Sequence, residues 1–218
     1  MDDTETPQPR KRGRPPGRTA YQEESRRQTR AAVLAAAAEV FATTPYVRAT
    51  IDDIISAAKV SRATFYDHFD SKLTLALAIY DDISADWLAH FDTLAQIDTA
   101  AEGALERWVE KLAGLYIAHG YVTPLVEQLA IFEQAFRLRL IEDRDHLIDR
   151  LAGHGLPGFV AAMGEGRQAH LQRARLRLLL SSIDQVCGDI ARSDMLSQAD
   201  AGAYVAVLAG QLRDILTV

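Results

Sequence analysis

Residues 50–72, TIDDIISAAKVSRATFYDHFDSK, decide the fold of the N-terminal part of this chain. Thr50 and Ser61 each precede a short helical pattern, as residues that cap a helix N-terminus do. Ile54 and Phe65 are spaced to lock two short helices together across a tight turn. The stretch therefore predicts a pair of helices, with a third helix following, and the second helix of the pair carries polar side chains on its open side.

The polar side chains of the second predicted helix suit a DNA groove. Arg62 lies in its first turn, from which a guanidinium can donate two hydrogen bonds to guanine in the major groove. The groups on Thr64, Tyr66 and His68 suit phosphates or base edges, and Lys72 suits a phosphate. The N-terminal amides of the helix after Thr50 can also hold a phosphate. The alternative is that the stretch only packs a core, and this is the interpretation for Phe65 and Phe69.

A basic run precedes this unit, RKRGRPPGR at residues 10–18. Its segment Arg12-Gly13-Arg14-Pro15 resembles the core of an AT-hook, in which arginines enter the narrow minor groove of A·T tracts. The alternative is a solvated, disordered tail that adds only nonspecific attraction. The candidate residues of this DNA-binding arm are Arg10, Lys11, Arg12, Gly13, Arg14 and Arg18.

The residues around the turn resemble the TetR (tetracycline-repressor-like) family of transcriptional regulators. The resemblance rests on Ile51-Asp-Asp-Ile54, Ala58-Lys-Val-Ser61, Thr64-Phe-Tyr-Asp-His-Phe69 and Lys72, and it covers about residues 25–80. It implies an all-helical homodimer with an N-terminal DNA-binding domain and a C-terminal domain for ligand binding and dimerisation. The candidate DNA contacts are Thr50, Lys59, Ser61, Arg62, Ala63, Thr64, Tyr66, His68 and Lys72; Ala63 is the small residue that lets the helix approach the bases.

One position departs from the family pattern, because Lys59 occupies the place in the turn that usually holds glycine. Glycine tolerates a positive φ there, whereas a lysine would be strained by roughly 1 kcal/mol. Two alternatives follow: the turn differs slightly, or Lys59 accepts the strain and adds a phosphate contact.

The remainder of the chain is typical of an all-α protein, because alanine and leucine dominate and no strand-period segment is present. We expect about nine helices. One begins near Thr99, another begins at Thr123-Pro124 and runs unbroken or with a bend to about Ala152, and a glycine-rich connection follows over residues 153–166. The predicted domains are a disordered arm (1–18), a three-helix helix-turn-helix domain (19–72) and a ligand-binding and dimerisation domain (73–218).

The last two predicted helices, the second of which starts at a capping Ser197, carry apolar faces that favour dimerisation. Family members pair such helices across a two-fold axis, whereas the alternative is packing within one monomer. These faces contain Leu171, Leu178, Leu179, Ile183, Val186 and Ile190 in one helix and Tyr204, Val207, Leu208, Leu212 and Ile215 in the other.

By analogy with the family, an effector pocket is expected among the helices from about residue 99 to residue 190. Aromatic side chains at helical spacing also serve as ordinary core residues. The candidate lining residues are Trp108, Tyr116, His119, Phe132 and Phe136.

Charge is distributed unevenly along the chain, whose net charge is −6. Residues 1–72 carry 12 basic and 10 acidic side chains, whereas the remaining residues carry 12 and 20. DNA affinity depends on the local charge that faces phosphates, so the overall acidity does not exclude a DNA-binding N-terminal part.

Several other classes of protein are disfavoured. No apolar span is long enough for a membrane helix, no secretory signal is recognised, and the histidines lack metal-ligand spacing. Catalytic motifs are absent, so neither an enzyme nor a cofactor is expected. The single cysteine, Cys187, cannot form an intramolecular disulfide and is expected to be a buried, inert thiol, in keeping with a cytoplasmic location.

These observations predict a sequence-specific DNA-binding transcriptional regulator. We expect a repressor that holds a palindromic operator with A·T-rich flanks as a homodimer and is released by an unknown small-molecule effector. The alternative is an architectural protein that binds DNA without sequence preference and without a ligand.

Overall fold

The computed structural model describes residues 20–192 and 196–217, and these residues form ten α-helices, one 3-10 turn and no strands. The all-α prediction is therefore confirmed. The bounds are α1 Ala20–Thr43, α2 Ile51–Ala58, α3 Arg62–Tyr66, α4 Lys72–Asp92, α5 Ala104–Ala118, α6 Val122–Phe132, α7 Gln134–Gly153, α8 Pro157–Val160, α9 Arg167–Ala191 and α10 Gln198–Leu216.

Three predicted helix starts in the N-terminal and C-terminal parts are confirmed by their caps. Thr50 accepts a hydrogen bond from the Asp53 amide while the Asp53 carboxylate accepts one from the Thr50 amide, which completes a capping box at α2. Ser61 caps α3 and Ser197 caps α10 in the same side-chain-to-amide manner. These starts could be predicted because the cap satisfies backbone amides by contacts that lie within four residues.

The middle of the chain differs from the prediction in two places and decides one alternative. The helix expected from Thr99 begins at Ala104 instead, because the Asp98 carboxylate accepts a hydrogen bond from the Ala100 amide and Gly103 adopts a φ of 68°. Of the two alternatives for the segment up to about Ala152, the structure has the bend, at Glu133, whose φ of −118° and ψ of 98° separate α6 from α7. The connection over residues 153–166 contains α8, a one-turn helix, which raises the count above the nine expected.

The buried side chains form two hydrophobic clusters, and α4 contributes to both. The N-terminal cluster joins α1 to the first half of α4, and it also contains Leu125 and Leu129 from α6 and Phe136 from α7. The C-terminal cluster joins the end of α4 to α5, the second half of α7, α8, α9 and α10. The first three helices therefore pack on a core that the middle of the chain helps to build.

Candidate functional site

The turn between α2 and α3 keeps the left-handed backbone that glycine favours, although the residue there is lysine. Lys59 has a φ of 54° and a ψ of 39°, and it is the one residue other than glycine with positive φ among those described. The Lys59 amide donates to the Ser56 carbonyl and the Val60 amide donates to the Ile55 carbonyl, at 3.3 and 3.1 Å. Of the two alternatives for this turn, the structure therefore has the strained lysine, with its side chain exposed.

Replacing Lys59 with glycine is expected to raise the free energy of unfolding by about 0.5 kcal/mol. Glycine removes about 1 kcal/mol of left-handed strain and gives back part of that in conformational entropy of the unfolded chain. Urea unfolding followed by circular dichroism measures the difference. Lys59→Val is the opposing control, since a β-branched residue fits this backbone worse, and equal stability of the two variants would contradict the assignment.

Helix α3 buries one side and exposes the other. Phe65 is fully buried and Phe69 is nearly so, which confirms the predicted inward pair, whereas Arg62, Ala63 and Tyr66 are exposed. The exposed residues follow the 3.6-residue repeat away from the core. The open face of α3 thus presents a guanidinium, a methyl group and a phenol ring to the surroundings.

Arg62 is already paired with an acid in the free protein. Its guanidinium donates to Asp52 of α2 at 2.5 Å, with 56% of the arginine side chain exposed. This contact joins the two helices of the unit, and the Asp52 charge raises the pKa of Arg62 further above its ordinary value. To reach a base, the guanidinium has to exchange this carboxylate for the base edge.

Several of the predicted contact residues are engaged in capping. The Ser61 hydroxyl accepts a hydrogen bond from the Thr64 amide and lies 2.8 Å from the Thr64 hydroxyl. The Thr50 hydroxyl donates to Asp53 at 2.7 Å and is exposed. In the structure Thr50 and Ser61 cap the N-termini of α2 and α3, and their polar groups remain at the surface.

Lys72, which was predicted to contact a phosphate, also makes contacts within the protein. Its ammonium donates to the carbonyls of Tyr46 and Ala49 at 2.6 and 2.8 Å and lies 4.3 Å from the centre of the Tyr46 ring. Burial lowers the pKa of this ammonium. Two of its three N–H groups thus tie the start of α4 to the loop between α1 and α2, which leaves one for a phosphate.

His68 lies beyond the end of α3, in the turn that leads to α4. It is half-buried, and its ring centre lies 6.5 Å from that of Phe69. The helix ends at Tyr66, so His68 does not share the open face of α3. The groups brought together on that face are those of Arg62, Ala63 and Tyr66.

Helix α1 supports α3 from the side opposite its open face. Arg26 donates to the Asp67 carbonyl at 2.8 Å, directly after the last residue of α3. Arg30 places its guanidinium 5.1 Å from the centre of the Phe69 ring. These contacts hold α3 at a defined angle on the three-helix unit, a condition for inserting one helix into a groove. The arm residues Arg10 to Arg18 lie outside the described residues.

Comparison with known proteins points to the same unit. Residues 33–79 match the family model described as bacterial regulatory proteins, tetR family, and these residues run from α1 through the helix-turn-helix into α4. Over these residues the chain is similar to the tetR family. No curated protein sequence matches the chain significantly.

Solved structures extend the likeness beyond these residues, over about 85% of the chain. The fatty acid degradation regulator FadR from Bacillus halodurans is 20% identical, with a TM-score of 0.62 over 85% of this chain and 94% of that one. A TetR-like transcriptional regulator from Rhodococcus sp. RHA1 is 20% identical, with a TM-score of 0.59 and the same coverages. A transcriptional regulator from Aquifex aeolicus VF5 is 18% identical, with a TM-score of 0.57 over 86% and 99%. At these identities the likeness shows the fold.

The protein contains a cavity of about 450 Å³ between its two hydrophobic clusters. Its volume lies in the range of small-molecule sites. Helix α4 lines one side of the cavity and α7 the other. Helices α5 and α9 contribute one lining residue each, and α6 contributes two. The lining residues are Tyr80, Ser84, Trp87, Leu88, Phe91, Tyr116, Thr123, Val126, Arg139, Leu140, Asp143, Arg144, His146, Leu147, Arg150 and Asp184.

Of the five aromatic and histidine residues expected to line a pocket, the structure brings only Tyr116 to the cavity wall. Trp108 is buried against His90, with ring centres 4.7 Å apart, and Phe136 packs edge-on against Tyr80. Phe132 is 61% exposed at the end of α6, and His119 caps α5 beside Asp86. Helical spacing identified these side chains, but it does not tell which neighbour each one meets.

The residues that make the cavity polar were not among those predicted from the sequence. Tyr80 and Trp87 come from α4, Asp143 and Arg144 from α7, and Asp184 from α9. One signal was present: Asp184 follows directly on Ile183 and precedes Cys187, both fully buried, so a charge stands beside the apolar stripe of α9. Such a residue needs a partner, and Arg144 and Tyr116 supply it at 2.8 and 2.7 Å.

Cys187 is buried beside this site, and burial together with the Asp184 charge raises the pKa of its thiol to about 12. A thiol with so high a pKa forms little of the reactive thiolate. Within the described ranges, no cluster of three potential ligands could hold a metal ion, and none of the described helices is long and apolar enough to cross a membrane.

The apolar faces predicted for the last two helices divide between core and surface. Leu179, Ile183, Leu208 and Leu212 are buried within the monomer. Leu171, Leu178, Tyr204 and Val207 remain exposed, at 46, 69, 46 and 58% of their surface. These four define the exposed apolar face of α9 and α10, and a shallow groove lined by Val186, Tyr204 and Val207 runs along it.

Proposed function

We propose that this protein is a transcriptional repressor that binds a palindromic operator as a homodimer and is released by a small-molecule effector. The observation that carries the proposal is the open face of α3, where Arg62, Ala63 and Tyr66 are exposed while Phe65 anchors the helix from behind. The tetR family match covers this unit.

In this proposal α3 enters the major groove and Arg62 reads a guanine. The exposed Ala63 lets the helix approach the base edges, and Tyr66 at the far end of the helix reaches a phosphate or a base. The proposed contact set is completed by Thr64 within α3 and by the residues around it, Thr50, Lys59, Ser61, His68 and Lys72. Lys72 contributes the third N–H group of its ammonium, since the other two donate to carbonyls within the protein.

The basic arm extends the proposed contact into the neighbouring minor groove. Arg12, Gly13 and Arg14 would lie in an A·T-rich flank, whose narrow groove has a strong negative potential. Arg10, Lys11 and Arg18 add phosphate neutralisation, which makes the binding salt-dependent. The proposed domains are the basic arm at residues 1–18, the DNA-binding domain at residues 19–72, called the reading domain below, and the ligand-binding and dimerisation domain at residues 73–218. Because bacterial DNA lies in the cytoplasm, the proposal includes a cytoplasmic location.

A homodimer is proposed through the exposed apolar face of α9 and α10. One helix-turn-helix unit reads only half of a palindrome, so two copies are needed for the complete site. The exposed apolar face offers Leu178 and Val207 for burial against a second copy, as expected of an interface core.

Release by an effector is proposed to act through the cavity between the two hydrophobic clusters. Helix α4 lines the cavity in its middle and is tied to the reading domain at its start by Lys72. A second link runs through α6 and α7, because the Tyr46 hydroxyl donates to Glu133 at 3.1 Å and the Val47 amide donates to Gln128 at 3.3 Å. A ligand that changes the distance between α4 and α7 therefore shifts both links, with a coupling free energy of about 1–3 kcal/mol.

The test is selection from a randomised duplex pool, with the full chain, with residues 1–18 removed, and with Arg62→Ala. We expect the full chain to enrich a palindrome with A·T-rich flanks and the truncated chain to lose the flank preference. Arg62→Ala is expected to relax one base position in each half-site and to lower affinity for the selected operator by about 5- to 150-fold, because a bidentate arginine–guanine contact contributes about 1–3 kcal/mol.

Arg137→Ala is the matched control, because it removes an exposed arginine from α7 without touching α3. If Arg62→Ala weakened binding to all duplexes equally, with no motif recovered and affinity collapsing in salt, the protein would instead be an architectural DNA-binding protein.

A further inference from the structure

The cavity has an aromatic wall next to a charged one. The rings of Trp87 and Tyr116 stack with their centres 5.0 Å apart and an interplanar angle of 27°, and Tyr80 and Phe91 also line the cavity. Aromatic faces carry negative electrostatic potential, so they accept apolar groups and cations but not anions. The aromatic wall by itself is therefore compatible with a neutral or a positively charged ligand.

Two carboxylates face this wall, and each accepts a hydrogen bond from a tyrosine. The Tyr80 hydroxyl donates to Asp143 at 3.0 Å, and the Tyr116 hydroxyl donates to Asp184 at 2.7 Å. Burial raises the pKa of both tyrosines, with the facing aspartates as the next cause. Both phenols therefore remain protonated and keep the carboxylates pointing into the site.

The arginines of the cavity are already engaged with carboxylates. Arg144 donates to Asp184 at 2.8 Å, and Arg150 donates to Asp92 at 2.5 Å. Arg139 forms its close contact with Asp81 at the rim and reaches Asp143 only at 3.5 Å. The network of charged groups at the cavity consists of Arg139, Arg144, Arg150, Asp81, Asp92, Asp143 and Asp184.

The three guanidinium groups and two of the carboxylates, Asp143 and Asp184, line the cavity, whereas Asp81 and Asp92 lie outside its lining and Asp92 also contacts His154 at 3.0 Å. Asp81, Asp92 and Asp184 are the close partners of the three arginines, so the network of three guanidinium groups and four carboxylates has one carboxylate in excess. Asp143 is the carboxylate whose guanidinium contact, with Arg139, is as long as 3.5 Å. An anionic ligand would have to displace a carboxylate from an arginine, whereas a cation adds to a charge that is already in excess. The position of that excess charge beside four aromatic rings favours a positively charged group with apolar substituents.

We propose that the cavity binds a lipophilic organic cation, with its charge beside Asp143 and its apolar groups against Trp87, Tyr116 and Phe91. This inference rests on the proposed function, since it gives the chemical class of the effector for the same cavity. It predicts that the affinity of the protein depends on the sign of a ligand's charge at constant shape.

Tetraphenylphosphonium and tetraphenylborate test the charge preference, because they have nearly the same shape and opposite charges. The chain has two tryptophans, so a Trp108→Phe background reports the fluorescence of Trp87 alone. We expect tetraphenylphosphonium to quench Trp87 and to bind about 10-fold or more tightly than tetraphenylborate. Calorimetry with the unmutated chain gives the same comparison without relying on the Trp108 substitution.

Asp143→Asn is expected to weaken tetraphenylphosphonium binding by about 10-fold. Glu110→Gln is the control of equal charge change, since Glu110 is exposed on α5 and lies outside the cavity lining. Tighter binding of tetraphenylborate, or unchanged tetraphenylphosphonium binding in Asp143→Asn, would overturn the inference.

The same protein preparations are assayed for operator selection, which separates the two proposals. Selective DNA binding with no cation preference overturns the ligand class and leaves the repressor proposal standing. Cation binding that depends on Asp143, in a protein that selects no operator, supports the ligand class and overturns the repressor proposal.

Discussion

Replacing Leu178 and Val207 together with glutamate is expected to leave the protein monomeric and to weaken operator binding by about 100- to 10,000-fold. Both side chains are more than half exposed on the exposed apolar face of α9 and α10. Four charges placed in a symmetric interface, two from each copy, would have to be desolvated without partners. The loss of affinity follows because two linked reading domains bind a palindrome with an avidity that one domain lacks.

The molecular mass from light scattering and the operator affinity measured on the same sample test this prediction. Ile131→Glu with Leu138→Glu is the matched control, since these residues are 67 and 54% exposed on α6 and α7 and have the same apolar character. The two double variants differ only in which apolar surface is charged. If the Leu178/Val207 variant remained a dimer while the control became monomeric, the dimer interface would lie on α6 and α7 instead.

Gly158→Ala is expected to lower the free energy of unfolding by about 3 kcal/mol. Helix α8 packs so closely on α10 that a Cβ at residue 158 would lie 2.2 Å from the Ile215 carbonyl oxygen and 2.7 Å from its side-chain Cγ2. A backbone atom cannot move aside as a flexible side chain does, so α8 has to shift, and overpacking of this kind is costly. The shift also disturbs the hydrogen bond that Gln172 donates to the Gly158 carbonyl at 3.0 Å.

Thermal and urea unfolding of Gly158→Ala measure the loss, which corresponds to roughly 6–12 °C in melting temperature for a chain of this size. Gly114→Ala is the control, because nothing lies within 4 Å of a Cβ at that position in α5. This change is expected to stabilise the protein by up to about 1 kcal/mol, since alanine favours a helix more than glycine does. If both variants lost the same stability, the close contact at residue 158 would not be the cause.

The reading unit could be predicted from the sequence because its determinants are local. Thr50 caps α2 through Asp53, Ser61 caps α3 through Thr64, and Phe65 and Phe69 lie on one side of the chain for reasons of helical spacing alone. The same holds for the start of α10 at Ser197. Lys59 shows the limit, because the sequence left two alternatives for the turn and only the structure shows the positive φ.

The cavity depended on the tertiary structure, because contacts between residues far apart in the chain define it. Tyr80 meets Asp143 and Tyr116 meets Asp184 across 63 and 68 residues, and no spacing rule connects such pairs. Lys72 was expected to contact a phosphate, and the structure adds contacts that no local pattern indicates, because its ammonium bonds to carbonyls 26 and 23 residues earlier in the chain. The sequence by itself determined most of the helices, the caps of α2, α3 and α10 and the open face of α3, since these depend on neighbours within one or two turns. The tertiary structure decided which charged side chains share the cavity and which apolar residues remain exposed, since these depend on how the helices pack.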